Sequence, residues 1–284
     1  MVKKRDRRAH GSVRDLLRVD PASFRLADVD PAGIVAGPRD KERARRQLAD
    51  LSVRVSCLHD RLYAAAKRSG SRHRLLIVSQ GVDTSGKDGA AKAIDALLHP
   101  SFAVIGFGRP TAEEKEHHFL WRYDRHLPEP GYVTLFNRSP YEQVLVVRVH
   151  SLEPWETAYD EINAWEARLD ADGVAILKVM LHISREEQAE RLLDRLADPT
   201  KHWKYEPRDV DERAYWDEYQ AAYEDALLRC STDVAAWHVV PANHKWHRDW
   251  LLGQLVLETL ESIPLEWPAA DFDPAAERER VLQS

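Results

Sequence analysis

Residues 81–89, Gly-Val-Asp-Thr-Ser-Gly-Lys-Asp-Gly, combine glycines, a lysine and two carboxylates in a spacing suited to holding an anion. Gly81, four residues and then Gly86-Lys87 is the spacing of a phosphate-binding loop. Its glycines let consecutive backbone N–H groups point inward, and a following helix adds the partial positive charge of its N-terminus. Gly81, Ser85, Gly86, Asp88 and Gly89 are the candidate phosphate-binding positions, with Lys87 reaching the outer phosphates. Asp88 stands where Ser or Thr usually holds Mg²⁺, and Asp83 lies inside the loop, where a carboxylate repels phosphate. Two carboxylates beside an anion imply a divalent metal at the same place.

A second cluster belongs at the C-terminal end of another strand, because ligands in open parallel sheets bind there. The apolar run 131–136 ends in Asn137-Arg138-Ser139-Pro140-Tyr141-Glu142. Asn137 takes the place of the usual acid and can offer Mg²⁺ a carbonyl oxygen, directly or through water, but no charge. Arg138 can clamp a phosphoryl group bidentately; the plainer reading is a turn held by Asn and Arg. Arg148, alone in the apolar run 144–150, needs an anion, either a carboxylate or a substrate phosphate. Finally, residues 198–208, Asp-Pro-Thr-Lys-His-Trp-Lys-Tyr-Glu-Pro-Arg, place basic and aromatic residues between prolines. Such a loop can close over phosphates, with Lys201, Lys204 and Arg208 neutralising charge as water is excluded. Arg191 and Arg195, four apart just upstream, either extend that basic face or form an ordinary solvated one.

The elements that must position these residues alternate from residue 74 onward. Strands are predicted at 74–79, 102–107, 131–136, 174–183 and 235–240, and helices at 86–98, 111–126, 154–170, 184–197, 209–229 and 243–261. Capping boxes mark two helix starts, Thr111 with Glu114 and Ser184 with Glu187. Short apolar strands between helices predict an α/β fold, a parallel sheet covered on both faces. Ahead of it, Leu48, Leu51, Val55, Leu58 and Leu62 form one stripe on a long helix that docks on the core or on another subunit. Residues 1–38 show no sustained period and read as an arm lying on the body or partly disordered. The stretch from Pro264 is expected to fray. The division expected is an arm at 1–38, a core domain at 39–263 with a lid at about 199–215, and a tail at 264–284.

The chain has 284 residues, 44% hydrophobic and 31% charged, and a formal charge of −6. That charge argues against a DNA-binding protein and requires any polyanionic substrate to be met by local basic clusters. Cys57 and Cys230 are the only cysteines, so no disulfide framework is implied and a reducing cytoplasm fits. No apolar run approaches the roughly 18 residues of a membrane span. The basic start, residues 1–8, lacks the apolar region of a signal peptide. His117-His118 and His244 with His247 have no third ligand at convincing spacing, so zinc is not expected.

Taken together, the motifs resemble those of the polyphosphate kinase 2 family. The resemblance is carried by loop 81–89, by Phe136-Asn137-Arg138-Ser139 with Tyr141 and Glu142, by 145–150, by His202-Trp203-Lys204, and by 215–219 with 222–224; it spans residues 40–262. It implies a P-loop kinase core with a helical lid and phosphoryl transfer between inorganic polyphosphate and a nucleotide, with Mg²⁺. By that likeness Asp83 binds metal and orients the acceptor phosphate, Lys87 stabilises the transferring group and Lys204 belongs to the closing lid. Many members carry Asp at the second strand end; Asn137 matches instead the branch that accepts AMP and in some members ADP. The assembly expected is a homo-oligomer. The alternatives are an ATP-dependent small-molecule or nucleotide kinase on the same core and a regulatory module that binds nucleotide without turnover. A GTPase is disfavoured, since Asn243-His244-Lys245-Trp246 imitates the guanine signature poorly.

Overall fold

The computed structural model describes residues 11–98 and 100–284. Five strands, β1 (Arg74–Gln80), β2 (Phe102–Gly106), β3 (Val133–Asn137), β4 (Val174–His182) and β5 (Trp237–Pro241), form one sheet in the order β2-β3-β1-β4-β5. Every pairing is parallel. The central strand β1 is buried along its whole length, as its uninterrupted apolar run requires when helices cover both faces. Side chains alternate across it. Leu75 and Ile77 enter one apolar layer; Leu76 and Val78 enter the other.

The first layer is built by α2 (Lys41–Ser69), α3 (Lys87–Asp95) and α11 (Lys245–Ser262). Asp40 caps α2 by accepting the Arg43 N–H at 2.8 Å, and Gly70 ends the helix in the left-handed conformation. Of its stripe, Leu51, Val55 and Leu62 are buried against the core, and Leu48 and Leu58 pack at the margin. Burial of such a side chain contributes roughly 1.5–3 kcal/mol. The helices meet closely at Gly253, where a Cβ would lie 3.0 Å from Leu48 and 3.1 Å from Leu51.

The second layer is formed by α7 (Ala158–Ala171), α10 (Trp216–Arg229) and the short α5 (Trp121–Asp124). Two predicted helices are broken here. The span 111–126 divides into α4 (Ala112–Lys115), closed by the complete Thr111–Glu114 capping box, and α5. Between them Phe119 and Leu120 turn into the apolar layer that holds Phe107 and Tyr123. The span 209–229 begins as α9 (Arg208–Asp211), tightens to a 3₁₀ turn over Glu212–Tyr215 and becomes α10. At that turn the Glu212 carboxylate is fastened to His150 and to the Tyr219 hydroxyl, each at 2.9 Å. His150 follows a short helix, α6 (Val146–Val149), which replaces the apolar run around Arg148.

The helix α8 (Arg185–Ala197) follows β4 and leads through a 3₁₀ segment, Pro199–Lys204, toward α9. Residues 11–38 lie on the body. They include α1 (Val13–Leu17), whose first N–H groups are capped by Glu258 at 3.1 and 2.8 Å. Val19 donates to the Trp237 carbonyl at 2.8 Å, beside an antiparallel bridge between Arg18 and His238 that covers the outer side of β5. The basic start at 1–8 falls outside the described residues. Residues 274–283 form an exposed helix, α12 (Pro274–Gln283). Among the described residues no helix is long and apolar enough to cross a membrane.

Candidate active site

The loop between β1 and α3 lies at the C-terminal edge of the sheet, where neighbouring strand ends also converge. Gly86 holds a φ of +99°, and a Cβ there would fall 2.2 Å from the Arg248 guanidinium, so glycine is required twice over. Thr84 (φ +63°) and Arg138 (φ +69°) are also left-handed, a conformation that costs a non-glycine residue on the order of 1 kcal/mol and collects at functional sites. Lys87 opens α3, and its Nζ folds back to donate to the Gly81 carbonyl at 2.5 Å and that of Val82 at 3.2 Å. Burial pulls its pKa below the ordinary lysine value, with the Asp83, Glu142 and Asp88 carboxylates working in the other direction.

Two buried arginines hold the loop from behind. Arg191, on α8, donates through Nη1 to the carbonyls of Thr84 (3.0 Å) and Ser85 (2.8 Å). Its Nη2 reaches Ala242 (2.6 Å) and Asn243 (3.1 Å), and its Nε reaches Glu187 (2.6 Å). Glu187 therefore turns its carboxylate to Arg191, while Ser184 caps α8 by accepting the Glu187 N–H at 3.1 Å. Arg248, on α11, donates to the Gly86 carbonyl at 3.2 Å and is neutralised by Asp249.

The end of β3 supplies the opposite wall. Asn137 stands in register with Ser79, and its amide donates to Asp88 Oδ1 at 3.0 Å. The left-handed turn at Arg138 sets its guanidinium 3.4 Å from Asp83 and 3.7 Å from Glu142. Gln80 braces this turn by donating to Ser139 Oγ at 2.9 Å and to Glu142 at 3.1 Å. Beneath, Tyr141 is anchored by the buried Lys178–Glu166 pair, whose ammonium also donates to the Cys230 carbonyl.

A pocket of about 460 Å³ opens between these walls and the segment from Pro199 to α9, where the lid is expected. Of the expected positions, Asp83, Gly86, Lys87, Asp88, Gly89, Asn137, Arg138, Lys201 and Lys204 line it. Gly81 and Ser85 lie behind the surface: both are buried, and the Ser85 N–H is donated to Val82 O at 3.0 Å. Arg148 sits elsewhere. Asp225 answers its charge at 2.6 Å, Tyr159 accepts from it at 2.8 Å, and Trp155 stacks on it, so the carboxylate is the partner the structure gives it. Arg208 is exposed at the start of α9 and outside the lining.

The lining also contains residues that spacing did not single out: Thr84, Asp194, Glu206, Asp209, Lys245 and Arg248. Lys245 and Arg248 follow the end of β5, so the strand-end rule applied to the fifth strand would have led to them. Arg191 and Arg195 join the basic side, with Arg195 donating to the Lys204 carbonyl (2.9 Å) and to Asp209 (3.0 Å). Eight basic and five acidic side chains face the pocket, an excess of positive charge on a chain whose net charge is −6. The field that attracts a polyanion is therefore local. Asp83, Asp88 and the Asn137 amide oxygen are hard oxygen donors suited to Mg²⁺. Among the described residues no group of three or more His, Cys, Asp or Glu is gathered to cage a metal.

A parallel sheet with a glycine-rich loop after its central strand, a lysine folded over that loop and a cleft lined by an excess of basic side chains define a phosphoryl-transfer protein of the P-loop kinase class. More narrowly, the chain belongs to the polyphosphate kinase 2 family, whose family model, Polyphosphate kinase 2 (PPK2), matches residues 38–266. It is 41% identical, over 88% of its length and 94% of the relative's, to the AMP/ADP-polyphosphate phosphotransferase of Meiothermus ruber. It is 36% identical to the ADP-polyphosphate phosphotransferase of Rhodopseudomonas palustris, over 94% of this chain and 98% of that one. The crystal structure of polyphosphate kinase 2 from Arthrobacter aurescens TC1 superimposes with a TM-score of 0.93 at 44% identity, covering 96% of this chain and 98% of the other.

Proposed function

We propose that the protein transfers the terminal phosphoryl group of inorganic polyphosphate to AMP, and to ADP in turn, reversibly and with Mg²⁺. The observation that carries this reading is the excess of basic side chains lining the pocket of a net-acidic chain, around a loop already shaped for phosphate. Membership of the family and the AMP/ADP acceptors named for the Meiothermus relative support the choice of substrates.

The acceptor's phosphate oxygen is already ionised at neutral pH, so attack on the terminal phosphorus requires no general base, only alignment and charge neutralisation. One P–O bond of the donor breaks, a new P–O–P anhydride forms, and the shortened polyphosphate leaves with the bridging oxygen. In this reading Lys87 and the N-terminus of α3 serve the transferring group, Arg138 clamps phosphoryl oxygens bidentately, and Asp83 orients the acceptor phosphate. Lys201 and Lys204 neutralise donor charge from the lid, and Arg195 holds Lys204's backbone in place. When bound by Asp83 and the amide oxygen of Asn137, Mg²⁺ would neutralise phosphate oxygens and help align donor with acceptor. Consuming one phosphoanhydride and making another leaves little free-energy difference, so the reaction runs in both directions. The reading includes a cytoplasmic location, which the two free cysteines fit, and a homo-oligomeric assembly.

Product analysis tests it. Purified protein with Mg²⁺, polyphosphate and AMP, ADP, GMP or GDP should yield ADP from AMP and ATP from ADP. Absence of product from both adenine nucleotides at micromolar enzyme would sink the proposal.

A further inference from the structure

Asn243 lies between β5 and α11, outside the pocket lining, and the phosphate-binding motifs do not include it. Three of its four polar groups nevertheless join three separate segments. The backbone N–H donates to the Pro31 carbonyl at 3.1 Å, tying it to the N-terminal segment. The side-chain Oδ1 accepts the Ser184 N–H at 3.1 Å, at the first residue of the α8 cap. The backbone carbonyl accepts from Arg191 Nη2 at 3.1 Å.

The origin of α8 matters because one of its faces backs the phosphate loop. Ser184, Gln188 and Arg191 are spaced by four and three, so they share that face. Gln188 Nε2 donates to the Asp83 carbonyl at 3.1 Å, and Arg191 holds the Thr84 and Ser85 carbonyls. A shift at Ser184 would travel along a rigid helix to both contacts, and a misplacement on the order of 1 Å in such a site costs on the order of a hundredfold in rate. Ser184 N–H has no other acceptor among the hydrogen bonds of the described residues, and Oδ1 of Asn243 is what fixes it.

We infer that Asn243 is a positioning residue for the phosphate loop, fixing the start of α8 and linking the N-terminal segment to the loop through Arg191. It touches no substrate. The inference rests on the loop being the site of polyphosphate binding, and its test reads binding separately from turnover.

The experiment compares wild type, Asn243→Ala and Asn243→Asp in the full chain. Aspartate keeps an oxygen acceptor for the Ser184 N–H, at a helix N-terminus that favours negative charge. Calorimetric titration with inorganic tripolyphosphate and Mg²⁺ should show at least tenfold weaker binding by Asn243→Ala and affinity within threefold of wild type for Asn243→Asp. In turnover assays the alanine variant should lose at least tenfold in kcat/KM for polyphosphate while the KM for the nucleotide changes less than threefold. Wild-type tripolyphosphate affinity in Asn243→Ala would overturn the assignment. So would an aspartate variant as weak as alanine, since the acceptor oxygen would then be irrelevant. A binding loss that merely follows the unfolded fraction seen in thermal melts would overturn it too, leaving a role in stability alone. Failure of wild type to turn over, with the tripolyphosphate pattern intact, would count against the proposed reaction and not against the positioning role.

Discussion

The floor of the pocket and its lid are built from the same kinds of cation, used in opposite ways. On the floor, Arg191 is 7% exposed and Arg248 3%, and their donors go to backbone carbonyls of the loop and the β5 end and to the Glu187 and Asp249 carboxylates. In the lid, Trp203 is 78% exposed, Lys201 is held by Asp198 on the surface at 2.8 Å, and Lys204 stands 3.8 Å from Asp88. Buried arginine with all its donors engaged fixes shape, and the loss of any partner leaves a costly unpaired group. Exposed lysine held by one weak pair remains free to turn to an incoming anion. Rigid below and adjustable above is the arrangement required of a site that must preorganise one end of a polyanion and still admit and release it.

Lys87 tests the catalytic side of that contrast and carries the largest expected effect. Lys87→Ala should lower kcat by about 10³-fold or more, equivalent to about 4 kcal/mol of transition-state stabilisation. The melting temperature should hold or rise slightly, because burial disfavours the lysine's charge in the folded protein. Steady-state kinetics beside differential scanning fluorimetry would check both, and a folded variant with more than a tenth of wild-type kcat would remove Lys87 from the chemistry.

Arg191 should behave in the opposite manner. Arg191→Met strips the donors from four backbone carbonyls and leaves Glu187 unpaired, so a stability loss of about 3–5 kcal/mol is expected. For a chain of this size that lowers the melting temperature by roughly 10 °C. Arg191→Lys keeps the charge but cannot span both pairs of carbonyls, and should fall between. A melting temperature within 2 °C (about the scatter of such a measurement) for the methionine variant would show that the floor is not held as described.

Much of this contrast was legible in the residue order. The loop announced itself because glycine, glycine and lysine occupy fixed offsets that only a backbone wrapped round an anion requires, and all five strands followed from short apolar runs. Asn137 and Arg138 were found because a strand end is a place as well as a residue type. What failed was the assignment of partners. Arg148 has the composition of an anion-binding residue, but its anion is Asp225 on α10, and nothing in either local segment predicts the other. Arg208 lies beside Lys201 and Lys204 in the chain and yet is exposed outside the lining, which takes its neighbour Asp209 instead. Arg248 and Asn243 were not singled out for these roles for the converse reason: both act through hydrogen bonds to or from backbone, which leave no signature of residue type.

The floor should also be the part that acid loosens. His182 and His238 on β4 and β5, and His247 on α11, are buried, and burial lowers each pKa to about 4. Unfolded, each titrates near 6.5, so between those values the unfolded chain binds more protons than the folded one. Their contribution to stability is complete above about pH 6.5 and is lost as the pH falls toward 4, at about 1.4 kcal/mol per pH unit for each histidine. The urea midpoint should therefore be lower at pH 5.5 than at pH 7.5 (assay conditions chosen on the order of one unit either side of the histidine value). His247 has no partner for either ring nitrogen among the described residues and lies between Trp246 and Trp250. His247→Phe should thus make the midpoint less sensitive to pH, and an unchanged slope would assign the acid sensitivity to other groups.

The smallest expected effects lie in the lid and separate its two lysines. Lys204 stands 3.8 Å from the loop's Asp88, its backbone is gripped by Arg195, and it lines the pocket. Lys201 also lines the pocket, but its ammonium is engaged within its own turn by Asp198, whose carboxylate also accepts from the Thr200 N–H and hydroxyl. Donor phosphate must outcompete that local pair before Lys201 contributes, whereas Lys204 has a longer contact to Asp88, at 3.8 Å, and lies over the Trp203 ring, 4.9 Å from its centroid. Lys204→Ala should cost about tenfold in kcat/KM for polyphosphate, and Lys201→Ala less than about threefold, with melting temperatures unchanged because both are surface pairs. The order of the two is the sharper part of the test. If Lys201→Ala proved the more damaging, the Asp198 contact would be a feature of the open lid alone, and closure would have to rebuild the 3₁₀ segment Pro199–Lys204 rather than swing it as a unit.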